Sequence, residues 1–295
     1  MTKCMLCPRN CGVSRDKGEI GYCGAPNDMV IARYSLHLWE EPCLSSDKGS
    51  GTIFFSYCNL KCCFCQNYNI SFLHKGRIVS VSEFSDICLK LQSSGAVNIN
   101  LVTGFMYVPQ IIEGIKLARS KGLYIPIVYN SSGYESVDTI KMLDGIVDIY
   151  LPDLKYYDDI YANKYSNCND YFTTASAAIK EMYNQVGSPV IENGIMKKGV
   201  IVRHLMLPGL IDDSKNIIKY VYNTYGDNVI ISIMNQYTPV RKLKYEELNR
   251  TIYDSEYDEL VNYAYDLGVR NAFIQEGGTQ LESFIPDFDD FNGLD

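Results

Sequence analysis

Thr52-Ile-Phe-Phe-Ser-Tyr57-Cys58-Asn-Leu-Lys-Cys62-Cys63-Phe64-Cys65-Gln66-Asn67 is the stretch on which the fold turns. Its first half, Thr52 to Tyr57, is a short uncharged run rich in aromatic and β-branched residues, the pattern of a buried strand. Its second half breaks into a cysteine-rich loop, with Cys58, Cys62 and Cys65 spaced C-x3-C-x2-C. Downstream, strand and helix signals alternate. Val97–Val102, Tyr124–Tyr129, Ile146–Leu151, Gly199–Leu207 and Val229–Met234 read as strands, and Val269–Gln275 as one more short strand. Between them lie helical patterns at Val81–Leu91, Val108–Ala118, Ser136–Leu143, Tyr156–Val186 (with a break near Asn167-Cys168-Asn169), Ser214–Tyr225 and Ser255–Leu267. Several of these stop before glycine, as helices do. Such alternation predicts a parallel sheet, because a right-handed crossover returns each strand to the same direction.

The expected fold is therefore α/β, a partial (β/α)6-type barrel over residues 51–275, with a small Cys-rich module at 1–50 and a tail at 276–295. In such a barrel the active site lies in the loops after the strands, where Cys58–Cys65 falls.

Composition narrows the function. The chain has 295 residues, 46% of them hydrophobic and 21% charged, enough for a packed core. Its formal charge of −8, from 27 basic and 35 acidic residues, argues against nucleic acid or an anionic membrane as the main partner. No segment reaches the ~18–20 apolar residues of a membrane span. Met1 to Cys11 carries no signal-type apolar run, so a cytoplasmic location with reduced thiols is expected. Nine of the eleven cysteines precede residue 66, which fits metal binding better than a disulfide framework. Cys88 and Cys168 read as ordinary thiols.

A [4Fe–4S] cluster ordinarily takes four thiolates. Three on one tight loop leave an iron open, and an open position is what a metal centre needs to bind a substrate. The motif, with Phe64 at its aromatic position, resembles the signature of the radical S-adenosylmethionine (SAM) superfamily, C-x3-C-x-aromatic-C. That resemblance implies that Cys58, Cys62 and Cys65 ligate the cluster and that Cys63 does not. It implies that SAM occupies the open iron and is cleaved to a 5′-deoxyadenosyl radical. Phe64 would lie beside the adenine.

From about residue 35 onward the chain is similar to activating enzymes of glycyl radical enzymes, the pyruvate formate-lyase-activating type. His37-Leu-Trp-Glu-Glu-Pro42, Asn130-Ser-Ser-Gly-Tyr134, Asp148-Ile-Tyr-Leu-Pro-Asp-Leu-Lys155, Arg203 to Gly209 and Asn235-Gln-Tyr-Thr-Pro239 carry the likeness. It implies that Lys155 meets the SAM carboxylate and that Asp153 orients this loop or binds beside the cofactor. Asn130 and Ser131 would lie near the methionyl group or a cation, and Tyr237 near the ribose. Arg203 would face the cofactor or pair with an acidic neighbour, and His204 would be a packed strand residue. Thr103-Gly104-Phe105-Met106 departs from the family's glycine-rich G-G-E-type segment, so methionine-end contacts there stay open.

Cys4, Cys7, Cys11 and Cys23 offer four further thiolates, for structural zinc, an auxiliary iron–sulfur cluster, or no metal, with Cys43 a possible replacement ligand. The implied partners are a glycyl radical enzyme, or another protein or peptide substrate, and an electron donor such as flavodoxin or ferredoxin. Radical modification of a small molecule or peptide is the alternative activity. A non-catalytic iron–sulfur or zinc protein is the second alternative.

Overall fold

The computed structural model describes residues 3–275 and 288–294. Its strands are β1 (Val30–His37), β2 (Ser50–Phe55), β3 (Arg77–Ile78), β4 (Ile99–Val102), β5 (Ile127–Ser131), β6 (Ile149–Pro152), β7 (Val190–Glu192), β8 (Ile195–Leu205), β9 (Ile230–Met234), β10 (Ala272–Ile274) and β11 (Asn292–Gly293). The longer helices are α3 (Val81–Ser93), α4 (Val108–Ser120), α7 (Tyr171–Val186), α8 (Ile211–Tyr225) and α9 (Asp254–Leu267). The shorter ones are α1 (Pro42–Ser45), α2 (Tyr68–Ser71), α5 (Val137–Met142) and α6 (Asp159–Ser166).

β2, β4, β5, β6, β8, β9 and β10 pair side by side in chain order, all parallel, and among the described residues the sheet does not close. This is the partial barrel expected from the alternation of periods. The long helical pattern at 156–186 divides into α6 and α7, with Asn167 in the left-handed conformation between them. The expectation of a loop-rich segment over residues 1–50 missed β1, which runs antiparallel to β2 with Ile31 opposite Phe55 and His37 opposite Ser50. Asn292 and Gly293 pair in turn with β1. Of the tail expected at 276–295, residues 276–287 and 295 lie outside the described residues.

Side chains alternate across each strand. Tyr129, Tyr150, Val200, Val202, Ile231 and Ile233 join the main core, with Phe84, Ile115 and Ile217 from the surrounding helices. The positions between them face the barrel interior. At one end Val128, Ile149, Leu151, Ile201 and Ile230 pack on Cys43 and Leu44 of α1, which plugs the barrel. Asn98 holds that plug by donating to the Leu44 carbonyl at 2.7 Å. One step nearer the C-terminal strand ends, the same inward register turns polar, with Asn130, Asp153 and Arg203. Among the described residues no helix is long and apolar enough to cross a membrane.

Candidate active site

The loop after β2 leaves the strand through Tyr57, a non-glycine residue at φ 77°. Thr103, just after β4, is likewise left-handed at φ 59°. Such conformations cost about 1–3 kcal/mol each and persist where surrounding structure enforces them. Here Tyr57 N–H is held by the Ile70 carbonyl at 2.9 Å and Thr103 N–H by that of Asn130 at 2.8 Å.

The loop brings Cys58, Cys62 and Cys65 together, and each sulfur has a polar neighbour. Leu60 N–H donates to Cys58 Sγ at 3.4 Å, and the Ser166 hydroxyl to Cys62 Sγ at 2.9 Å. Ser71 Oγ lies 3.2 Å from Cys65 Sγ. Burial pushes the Cys62 thiol up to about 12, against the opposing pull of the Lys155 ammonium. Three thiolates in so dry a place need cations to offset them. Cys63 does not line the cavity that Cys62 and Cys65 line; its N–H bonds the Tyr165 carbonyl, and its own carbonyl accepts from Arg241.

Cys62, Phe64 and Cys65 open into a cavity of about 240 Å³ whose far wall carries Asn130, Asp153, Lys155, Arg203 and Glu40. That wall is one ionic network. Asp153 takes Lys155 Nζ at 2.5 Å and Arg203 Nη2 at 2.9 Å. Arg203 also reaches Glu40 at 3.2 Å and Asn130 Oδ1 at 2.6 Å. Glu40 Oε2 accepts from the Asn100 and Asn130 amides at 2.6 and 3.2 Å. Burial pushes the Asp153 carboxyl up, but Arg203 and Lys155 more than offset this and hold it below its ordinary value.

The structure thus places Phe64, Asn130, Asp153 and Lys155 on one cavity with two of the three motif cysteines. Arg203 is in the same network. Tyr237 is not available as a polar contact: it is buried, edge-on to Phe64 at 5.9 Å, and its hydroxyl donates to the Leu248 carbonyl. His204 is a packed strand residue, between the Leu154 carbonyl and Ser214 Oγ, both at 2.9 Å. Sequence reasoning gave no role to Glu40, Ser71 or Ser166. Glu40 lay in the quoted His37–Pro42 segment; the two serines carry no local signal.

Residues 52–221 match the profile of the Radical SAM superfamily. The chain belongs to that superfamily. An uncharacterised protein of Methanocaldococcus jannaschii, MJ0674, is 29% identical over 271 residues, 88% of this chain and 74% of that protein. The pyruvate formate-lyase-activating enzyme of Clostridium pasteurianum is 25% identical over 263 residues, 87% of this chain and 98% of the enzyme. Among solved structures, Streptococcus suis SuiB bound to S-adenosylmethionine superposes with a TM-score of 0.49 at 14% identity, over 75% of this chain and 48% of SuiB, about half its length.

Superfamily membership implies a radical SAM enzyme with a [4Fe–4S] cluster and SAM, and the chemistry of the site fits both. Three sulfurs share one loop, that of Cys62 buried and those of Cys58 and Cys65 half-buried. Among the described residues, no three His, Cys, Asp or Glu converge closely enough to hold a single metal ion. A cluster differs, since it takes one thiolate per iron. The two cations and two carboxylates of the far wall cancel. A ligand bearing its own ammonium, carboxylate and sulfonium would meet complementary groups of both signs there.

Proposed function

We propose that this chain reductively cleaves SAM at a cluster held by Cys58, Cys62 and Cys65 and uses the product to activate a glycyl radical enzyme. The observation that carries the reading is the cavity itself, lined by Cys62 and Cys65 of the motif together with the Asn130–Asp153–Lys155–Arg203–Glu40 network. The likeness to an activating enzyme across 98% of that enzyme's length supports the choice of substrate class.

When bound, the cluster and SAM would supply a one-electron cleavage yielding a carbon radical for hydrogen abstraction. The protein's part is placement and exclusion of water. Lys155 would offer its ammonium to the amino-acid carboxylate, a compact donor for that task. Asp153 holds Lys155 at 2.5 Å and so fixes where that charge stands. The Asn130 amide would supply further polar contact, and Phe64 an apolar wall for the adenine.

Full-length protein, reconstituted anaerobically and reduced with SAM present, is expected to release 5′-deoxyadenosine and methionine, and Cys62→Ala to bring that release to background. Iron uptake with no cleavage would sink the proposal. Mixing with a glycyl radical enzyme is expected to produce a glycyl radical signal by electron paramagnetic resonance. Cleavage without that signal would move the substrate to a small molecule or peptide.

A further inference from the structure

A second group of cysteines meets far from the first in sequence but beside it in space. Cys4, Cys7, Cys11 and Cys23 line one small cavity of about 10 Å³, closed by Leu6, Val13, Phe105 and Met106. All four are free thiols. The backbone is folded to bring them there: Cys4 N–H bonds the Val13 carbonyl at 2.8 Å, and Gly12 N–H returns to the Cys4 carbonyl at 3.0 Å. Gly21 leaves the needed room, since a Cβ on it would stand 3.0 Å from Cys11 Sγ.

Two of the sulfurs also accept hydrogen bonds from the backbone. Tyr22 N–H donates to Cys11 Sγ at 3.2 Å, and Ala25 N–H to Cys23 Sγ at 3.5 Å. The bond from residue i+2 to the sulfur of residue i, seen at Cys23, is also the one Leu60 makes to Cys58.

The module is clamped to the barrel. Arg15 donates to the Met106 carbonyl at 2.7 Å, and Thr139 Oγ1 to that of Leu6 at 2.8 Å. Arg9, two residues after Cys7, donates to the Asn59 carbonyl at 3.0 Å, inside the Cys58–Cys65 loop.

We propose that Cys4, Cys7, Cys11 and Cys23 hold a second iron–sulfur cluster, one thiolate per iron, against the loop that carries the first. Mononuclear zinc, with its sulfurs ~2.3 Å from one point, is the competing occupant, and zinc content decides against or for it. A four-iron cluster spreads its ligands around a larger body and takes four cysteines. The inference is independent of SAM cleavage.

The test is iron, labile sulfide and zinc content of the full chain after anaerobic reconstitution, with the reduced state read by electron paramagnetic resonance. Wild type is expected to carry about eight irons, two clusters' worth. The triple variant Cys58→Ala/Cys62→Ala/Cys65→Ala is expected to keep about four irons, with a signal that SAM does not alter. Cys7→Ser/Cys23→Ser is expected to keep the complementary four, with a signal that SAM does alter. If that double variant does not fold, wild type and the triple variant decide the matter. A triple variant with no iron, or with one zinc in its place, overturns the second cluster and leaves the SAM reading standing. Failure of cleavage with eight irons present would do the reverse.

Discussion

Arg203 is the residue on which the charges of the cavity wall depend. Its guanidinium meets Asp153 on one side and Glu40 on the other, all three side chains largely enclosed. Removing one partner of a buried ionic group typically costs 3–5 kcal/mol, because the others are left uncompensated. Asp153 would still have Lys155, so Arg203→Met is expected to cost about 3 kcal/mol in chemical unfolding. Arg203→Met/Glu40→Gln should recover part of that loss; simple additivity would show that the two groups are not coupled. His204 gives a separate, pH-dependent signal. Burial lowers its pKa to about 4, against 6.5 when free. With Nδ1–H donating to Leu154, Nε2 must accept from Ser214, so the ring is held neutral. Below pH 6.5 the unfolded chain takes up the proton first, and stability falls as pH drops through the folded value. The difference is worth up to about 3 kcal/mol near pH 4. Urea unfolding between pH 7 and 4 should show this slope in wild type and a shallower one in His204→Gln.

Helix packing explains a glycine where helix propensity opposes one. Gly114 lies in the middle of α4, where alanine would favour the helix by ~1 kcal/mol. A Cβ there would come within 2.3 Å of the Phe84 ring on α3, and that ring is wholly buried. Overpacking of this kind costs ~1–3 kcal/mol, so Gly114→Ala should be net destabilising by about 1 kcal/mol. A raised thermal midpoint would show that α3 and α4 can part freely. Gly133 meets a harder limit: at φ 76°, its Cβ would collide with the Asp153 carbonyl at 2.2 Å. The turn after β5 is thus shaped to the loop that carries Asp153 and Lys155.

At the scale of the whole molecule, an open sheet has edges, and an exposed edge is a template for unwanted pairing. Residues 288–294 cover one of them. Tyr34 N–H bonds the Phe291 carbonyl at 3.0 Å, Phe291 stands edge-on to Tyr34 at 5.2 Å, and Phe288 to Phe54 at 5.4 Å. The Arg33–Asp290 pair adds little, since Asp290 is more than half exposed. Deleting residues 288–295 is expected to lower the thermal midpoint by about 5 °C or more and to promote aggregation. An unchanged midpoint in monomeric protein would show that this cover is not stabilising.

The linear sequence by itself determined the parallel order of the sheet, the division of α6 from α7 and the loop carrying Cys58, Cys62 and Cys65. Periodicity, glycine stops and cysteine spacing are local properties, written within about twenty residues. Asn130, Asp153 and Lys155 were pointed to by the family resemblance of the segments that follow the third and fourth expected strands, not by the periods themselves. Only the tertiary structure decided that β1 lies against β2, because an antiparallel partner is chosen by pairing across the chain. Only it joined Glu40 to Arg203 and Ser166 to Cys62, contacts made by bringing together segments whose own patterns say nothing of one another.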